Sequence, residues 1–441
     1  MIAVAESDSY LKWAVSLLAQ LPTSARVEVV IARSPVRPSA TQRMAALAGT
    51  AFANYQPEVL SPMQLLRRVE RDRPNAVLLA CTGPSAHAYQ EALSRASHRP
   101  VLIAGIPGIA LPARRRAWGY RGAVDLFVVH SHREVVEYDR VRMLTGKSGR
   151  VGLATIPFLA PAPATTTGFG LNTMPRQTDS PGLQQAAQTG PEIGDSIIPK
   201  RAGNRVLFAT QAKVPRVRRE RIEILLALDR LAAGRPDLKV VVKTRGISGE
   251  FHTHHEAHHY ADLWTDLVAS GQVQASSSLE FAAGSMAEQL ADAVALVTVS
   301  STAVLEAMAL DIPVLLIDEF GISEGQINQV FVGSGCLAGL DALEAADFRH
   351  PEKWWLADNY FHPVTDNTWI GMLDELVVAA RAGRLPSITE GLDVGRTPRR
   401  RRLDRLRLTP AGSAFVRARH KLKKRMRKAA RPSPGPVAQS S

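Results

Sequence analysis

Cysteine is nearly absent from this chain of 441 residues, which contains only Cys81 and Cys336. Two cysteines exclude a disulfide framework, and their apolar surroundings predict buried thiols in a reducing compartment. Long hydrophobic runs are also missing, since no stretch of about 18 uninterrupted apolar residues is present to cross a bilayer. The N-terminal MIAVAESDSYLKW lacks a basic region followed by an apolar one, so we expect no signal peptide and a cytoplasmic location.

Aromatic residues are scarce at 6%, whereas apolar residues reach 45% and charged residues 22%. These proportions are typical of a globular protein with a real core. At about 100–200 residues per domain, the length predicts two or three domains.

The positive charge is concentrated at one end of the chain. The sequence has 54 Lys and Arg against 41 Asp and Glu, and residues 396–441 hold 16 of the basic residues and one of the acids. The other residues therefore carry 38 basic and 40 acidic side chains, so the folded body is nearly neutral and the basicity belongs to a tail.

The basic tail contains interspersed Leu, Phe, Val and Met, as in RTPRRRRLDRLRL. We expect it to dock on an anionic membrane surface, where each basic side chain contributes about 1 kcal/mol. Nucleic-acid binding is the rival interpretation, but aromatic residues do not alternate with the basic ones as stacking on single strands requires. A disordered, solvated tail is the third. We therefore expect peripheral attachment to the inner face of the membrane and no nucleic-acid partner.

Strand-like and helix-like segments alternate in two blocks. IAVA, VEVVIA and AVLLACTG are strands of the first block, and RVLFAT, LKVVVKTR, VALVTVS and PVLLIDE are strands of the second. Such alternation predicts βαβ units and parallel sheets covered on both faces. We predict an α/β protein with two doubly wound, Rossmann-like domains facing a cleft.

The predicted domain organisation has five parts. They are a first domain (1–159), a disordered linker rich in Pro, Gly, Thr, Gln and Ser (160–203), a second domain (204–349), helices that close the second domain or cross back onto the first (350–385), and the basic, disordered tail (386–441).

The candidate site lies where the strands of the second domain end, because open α/β sheets bind ligands outside the carboxyl ends of their strands. The residues that follow these strands are hydroxyl, amide, acidic and cationic side chains: Gln211, Lys213, Lys243, Arg245, Thr253, Ser300, Ser301, Thr302, Glu324, Gln326 and Asn328. Hydroxyls and cations at one edge predict an anion pocket.

The segment VTVSSTAVLEAMALDIPVLLID places Ser300, Ser301 and Thr302 between a buried strand and a helix through Ala303–Ala309. A helix N-terminus with free N–H groups suits a phosphate, and plain N-capping is the alternative. Glu306 follows Thr302 on the same helix face, within reach of a ribose. Its alternative role is an acid that complements the helix dipole.

The histidine-rich segment HTHHEAHHY contains two patterns. Thr253 and Glu256 have capping-box spacing, which predicts a helix start. His255 and His259 match H-E-x-x-H, but the apolar residues that follow mark another face as buried. We favour a solvated helix start over a zinc hydrolase and predict neither a metal nor a cofactor. His254 lies nearest the strand end and is expected to face a phosphate.

In the first domain, the loop after the first strand contains Glu6, Ser7, Asp8 and Ser9. Asp8 is the candidate general base for an acceptor hydroxyl, and helix capping is its alternative role.

Together these stretches resemble GT-B-type glycosyltransferases, especially capsule and polysialic-acid-type transferases and CDP-glycerol glycerophosphotransferases. The matching stretches are VVVKTR…HTHHE, VTVSSTAVLEAMALDIPVLLID and EGQINQ in the second domain and VLIAGIPGI…YRGAVDLFVVHSHREVVEY in the first. The resemblance implies that Ser300–Thr302 hold the donor phosphates, that Glu306 holds the ribose, and that residues 324–328 contact the donor. It also places His254 beside the leaving phosphate, although a histidine follows it where the family has proline.

The resemblance implies transfer of a sugar from a nucleotide-sugar donor to a glycan or lipid-linked acceptor in cell-surface polymer synthesis. No metal is expected, because a helix dipole, Lys243 and Arg245 can neutralise the departing diphosphate. Three alternatives remain open: a CDP-glycerol-type glycerophosphotransferase, a sugar-nucleotide epimerase of the same fold, and a non-catalytic protein that binds a glycan or nucleotide.

Overall fold

The computed structural model describes residues 1–156, 203–244, 258–274 and 276–392, with single positions between 406 and 418. Nearly all of the predicted linker and most of the basic tail lie outside these residues.

The first part of the chain forms a seven-stranded parallel sheet with the order β3-β2-β1-β4-β5-β6-β7. Its strands are β1 (Ile2–Ala5), β2 (Glu28–Ala32), β3 (Val59–Leu60), β4 (Ala76–Ala80), β5 (Val101–Gly105), β6 (Leu126–Val129) and β7 (Arg150–Leu153). The helices between them are α1 (Asp8–Leu18), α2 (Ala40–Leu47), α3 (Pro62–Asp72), α4 (Gly83–Leu93), α5 (Arg115–Gly119) and α6 (His132–Thr145). The central strands are apolar throughout because helices cover both faces of the sheet.

The second part forms a six-stranded parallel sheet with the order β10-β9-β8-β11-β12-β13. Its strands are β8 (Arg205–Ala209), β9 (Lys239–Lys243), β10 (Glu280–Ala282), β11 (Ala293–Thr298), β12 (Val314–Ile317) and β13 (Leu337–Ala338). Its helices are α7 (Arg218–Gly234), α8 (Tyr260–Ala269), α9 (Met286–Ala291), α10 (Ala303–Ala309) and α11 (Leu340–Glu344).

The two sheets share one topology. Each begins with a central strand, winds outwards for two strands, then returns to the centre and winds the other way. The direction reverses between β1 and β4 in the first sheet and between β8 and β11 in the second. Doubly wound sheets bind ligands at this switch point. The predicted α/β class with two Rossmann-like sheets is confirmed.

The C-terminal helices serve both sheets. Trp355 of α12 (Lys353–Asp358) is buried in the core beside the second sheet. Trp369, Leu373 and Leu376 of α13 (Trp369–Arg381) are buried in the core beside the first sheet. The chain therefore packs α12 on the second domain and then crosses back to pack α13 on the first.

The start of the predicted tail differs from the expectation of disorder. Residues Ile388–Leu392 form a last helix, α14, and Ile388 packs into the core of the first domain. Leu408 is also buried there. Apolar side chains anchor these positions, which the net charge of the tail did not reveal.

Candidate functional site

At the switch point of the second sheet, hydrogen bonds from side chains connect neighbouring strand ends. Gln211, which follows β8, donates from Nε2 to the Ser300 carbonyl at 2.6 Å. The Thr298 hydroxyl donates to the Ala209 carbonyl at 2.8 Å. The Ser300 hydroxyl in turn donates to the carbonyl of Ile327, in the loop after β12. The structure thus brings Gln211 and Ser300 together and joins them to a third strand end.

The three hydroxyl residues before α10 have different roles. Ser300 is buried, with its hydroxyl engaged as described above. Ser301 Oγ accepts a hydrogen bond from Ala303 N at 3.3 Å, so helix capping belongs to Ser301. Thr302 is exposed, and its side chain makes no capping bond. Because α10 has only seven residues, its dipole alone is a weak anion site, and binding of a phosphate requires further cations.

The loop 321–328 is held in shape from inside. Asn328 is fully buried, accepts from Ser323 N at 3.1 Å and donates to the Gly321 carbonyl at 3.1 Å. Both ends of its amide are engaged, so Asn328 positions the loop, and its contact with a sugar donor stays a prediction. The neighbouring Ile327 has φ 60°, which is strained for a β-branched residue. Such strain clusters at ligand sites.

Two amide oxygens at this edge lack partners. Among the described residues, no group donates to Gln211 Oε1 or Gln326 Oε1, although both atoms are buried. An unpaired buried acceptor costs about 1–3 kcal/mol. A ligand hydroxyl or N–H group would relieve this cost, whereas a phosphate, which is an acceptor, would not.

Lys243 and Glu306 supply the charges of the site. Lys243 ends β9, is 8% exposed, and donates from Nζ to the Thr244 carbonyl at 3.2 Å. Burial raises the pKa of Glu306, and the positive charges of Lys12 and Lys243 oppose that rise. Because Lys12 belongs to α1 of the first domain, Glu306 interacts electrostatically with cations from both domains.

The two domains touch at a glycine. Gly108 has φ 75°, and a Cβ at this position would lie 2.6 Å from Thr302 Cγ2. Nearby, Arg114 donates to the Glu324 carbonyl at 3.5 Å, and Leu111 packs among core residues of the second domain. Residues 106–114, here called the contact loop, therefore meet the strand ends of the second sheet. The GIPGI turn of the sequence is part of this contact loop.

Asp8 lies at the switch point of the first sheet. It opens α1, is half-buried, and follows the capping residue Ser7. The sequence did not single out its neighbour Glu6, which is buried and accepts from Thr82 N at 2.7 Å, from Thr82 Oγ1 at 2.6 Å and from Ser85 Oγ. The Glu6 side chain thus joins the end of β1 to the start of α4, and Asp8 is the more accessible of the two carboxylates.

The structure describes only some of the remaining predicted residues. Lys213 and Glu324 are exposed, and Arg245, Thr253 and His254 lie outside the described residues. α8 begins at Tyr260 with His259 ahead of it, so His259 does not stand within a helix as the H-E-x-x-H pattern requires.

Across the described ranges, no three His, Cys, Asp or Glu side chains gather as a metal site. In the same ranges, no helix is long and apolar enough to cross a membrane. Cys81 and Cys336 are buried free thiols, as predicted.

Sequence reasoning missed a buried carboxylate outside the strand ends. Glu134, in the first turn of α6, is fully buried, and burial raises its pKa to about 7. Its only sequence signal was an acid near a capping serine in HSHREVVEY, a pattern typical of ordinary helix starts.

Solved structures share this two-sheet arrangement. The S. aureus MnaA–UDP co-structure has a TM-score of 0.50 at 12% identity and covers 88% of this chain and 98% of its own. The UDP-GlcNAc 2-epimerase from Neisseria meningitidis bound to UDP-GlcNAc has a TM-score of 0.49 at 10% identity, covering 87% and 99%. The lipopolysaccharide outer core galactosyltransferase WaaB has a TM-score of 0.43 at 11% identity, covering 87% and 99%. At 12% identity, the likeness to the MnaA structure shows the fold alone.

No curated protein matches the sequence. A family model does match residues 1–376, which is most of the chain, and its description is "Putative glycosyltransferase (DUF6716)". The chain therefore belongs to this glycosyltransferase family, with the GT-B fold.

Proposed function

We propose that this protein transfers a sugar from a nucleoside-diphosphate sugar to an acceptor hydroxyl in the synthesis of a cell-surface glycan. The observation that carries the proposal is the switch point of the second sheet. There Gln211, Ser300 and the strained loop 321–328 are joined in one hydrogen-bond network beside the buried cation Lys243. Because the chain belongs to a glycosyltransferase family, we interpret this geometry as a binding site for the sugar donor.

The charges of the site suit a diphosphate flanked by hydroxyl groups. Lys243, with Arg245 from the sequence, neutralises the phosphates without a metal in this proposal. The unpaired oxygens of Gln211 and Gln326 accept hydrogen bonds from sugar hydroxyls or base N–H groups. Glu306 accepts a hydrogen bond from the ribose. Burial raises the pKa of this carboxylate, so hydrogen-bond donors of a bound ligand would stabilise its ionised form.

The acceptor side belongs to the first domain. In this proposal, the Asp8 carboxylate takes the proton of the acceptor hydroxyl, whose oxygen bonds to the anomeric carbon. The bond from that carbon to the diphosphate breaks, and the nucleoside diphosphate leaves with the electron pair. The basic tail then holds the enzyme near a membrane-borne acceptor.

The first experiment is a thermal-shift assay with UDP and UDP-GlcNAc, because structures of this fold contain these ligands. A ligand at 100 times its Kd stabilises the native state by about 2.7 kcal/mol. We expect a raised midpoint for the wild type, and little shift for Lys243→Ala and Ser300→Ala. The matched control is Lys239→Ala, at the opposite end of β9, where Lys239 is half-exposed and pairs with Glu280 at 3.0 Å. Unaltered shifts in the first two variants would contradict the site.

Turnover separates the alternatives. Sugar transfer supports the proposal, free epimerised sugar indicates an epimerase, and transfer from CDP-glycerol indicates a glycerophosphotransferase. Binding without turnover indicates a non-catalytic protein. Asp8→Asn should keep the UDP shift and lose transfer, and full transfer by this variant would remove Asp8 as the base.

A further inference from the structure

Residues 154–156, which follow β7, lie against the segment by which the chain returns from the second domain to the first. This crossover segment is defined here as residues 359–368, between α12 and α13. Asn367 Oδ1 accepts from Thr155 N at 2.7 Å, and Leu153 N donates to Thr368 Oγ1 at 3.0 Å. The crossover segment is therefore fastened to the edge of the first sheet, and any motion between the domains must act on it.

Glu134 joins this crossover segment to the contact loop. One oxygen of its buried carboxylate accepts from Ala110 N at 2.7 Å and from the Tyr360 hydroxyl at 2.7 Å. The other oxygen accepts from His130 N at 2.9 Å. The three donors belong to the contact loop, to the crossover segment and to the end of β6. A single carboxylate thus ties together the segments that meet or lead to the second domain.

The contact loop carries the effect of Glu134 to the candidate site. Ala110 is held from both sides, because its carbonyl accepts from the Tyr138 hydroxyl at 3.1 Å. Two residues before it, Gly108 packs against Thr302. The position of Ala110 therefore determines how the first domain approaches the Ser300–Thr302 junction.

We propose that Glu134 is a positioning residue, which fixes the contact loop and the crossover segment in the arrangement that brings both halves of the site together. The functional consequence rests on the proposed nucleotide binding, whereas the structural consequence does not. In this arrangement both oxygens of the carboxylate only accept hydrogen bonds, so the ionised form of Glu134 stabilises the arrangement. A proton on either oxygen replaces an acceptor with a donor that faces another donor.

Glu134 changes its charge near neutral pH. Burial raises its pKa to about 7, against the lowering effect of its three donors. The titratable or charged groups around it, from β6, α6 and the crossover segment, are His130, His132, Arg133, Tyr138, Tyr360 and His362.

Most of these neighbours keep one charge state between pH 6 and 8. Burial lowers the pKa of His130 to about 4, so His130 stays neutral, and burial also lowers the pKa of His362. The pKa values of Tyr138 and Tyr360 are raised by burial. His132 is paired with Asp366 at 3.0 Å, which makes His132→Gln a necessary control for any pH effect.

The test measures the distance between domains in the full-length protein at pH 6 and pH 8. Spin labels at Met63→Cys and Val217→Cys report it, since both positions are exposed and the native cysteines are buried. We expect the wild-type distance distribution to change with pH, Glu134→Gln to show the pH 6 distribution at both values, and Asp139→Asn on the same helix to behave as wild type. Overlapping pH responses of Glu134→Gln and wild type, or no wild-type response, would overturn the proposal.

Nucleotide affinity gives the functional readout, with UDP as the probe. One pH unit below and above a pKa of about 7, the ionised fraction is about one eleventh and ten elevenths, so wild-type UDP affinity should rise by up to about tenfold from pH 6 to pH 8. Tyr360→Phe removes a donor that lowers the pKa of Glu134, so the midpoint of this rise should move to higher pH. A structural role alone leaves the midpoint in place. If the wild type binds no UDP, the proposed function fails, while the label distances still decide the role of Glu134.

Discussion

Replacing Gly108 by alanine tests the contact between the domains. The added Cβ would lie 2.6 Å from Thr302 Cγ2, and the backbone at this position has φ 75°. The left-handed conformation costs a residue with a Cβ about 1–2 kcal/mol. Overpacking against Thr302 adds about 1–3 kcal/mol. We therefore expect Gly108→Ala to lower the free energy of unfolding by about 2–5 kcal/mol in total.

A matched glycine separates the two causes. Gly49 has nearly the same backbone, with φ 71°, but a Cβ there would meet nothing within 4 Å. Gly49→Ala should therefore cost only the backbone part, about 1–2 kcal/mol. Thr302→Ser removes the clashing methyl group and should restore only the overpacking part in the double variant, as a coupling of about 1–3 kcal/mol.

The assay is urea unfolding of all four variants and the wild type, followed by tryptophan fluorescence and by circular dichroism. Agreement between the two probes is needed because a two-domain protein need not unfold in one step. Equal losses for Gly108→Ala and Gly49→Ala, with no rescue by Thr302→Ser, would show that the domains do not press together at this point.

Two further predictions concern stability. Trp369→Ala should lower the free energy of unfolding in urea by about 3–5 kcal/mol, because Trp369 is fully buried and donates to Gln20 Oε1 at 2.9 Å. The control Val378→Ala, on the exposed side of α13, should lower it by less than about 0.5 kcal/mol. Equal losses of unfolding free energy in the two variants would mean that α13 is not docked on the first sheet. The pKa of Glu134 is raised from 4.5 to about 7, so its stabilising contribution is complete below pH 4.5 and is lost as pH rises through 7. The unfolding free energy of the wild type minus that of Glu134→Gln should fall by about 3 kcal/mol over this range. Taking the difference cancels His130, whose lowered pKa has the opposite effect, and a flat difference would contradict the burial of a titrating Glu134.

The sequence alone determined the architecture of this protein. Each central strand is a run of apolar, often β-branched residues, because a parallel sheet buried on both faces requires it. Amphipathic helices between such runs leave the doubly wound fold as the natural solution. The same local patterns located the strand ends, and so they made Gln211, Lys243 and Ser300 candidate site residues.

Only the tertiary structure decided what each candidate does. The sequence of the Ser-Ser-Thr junction does not show that Ser301 caps α10 while Ser300 bonds Ile327, because that division depends on the loop after β12. The sequence predicts that Asn328 contacts a ligand, and only the structure shows that its amide forms hydrogen bonds within its own loop. Glu134 meets Tyr360 across more than two hundred positions of sequence. A local pattern records which residues follow a strand, but burial and partners are set by segments distant in the chain, and those two properties decide whether a polar side chain supports the fold or faces a ligand.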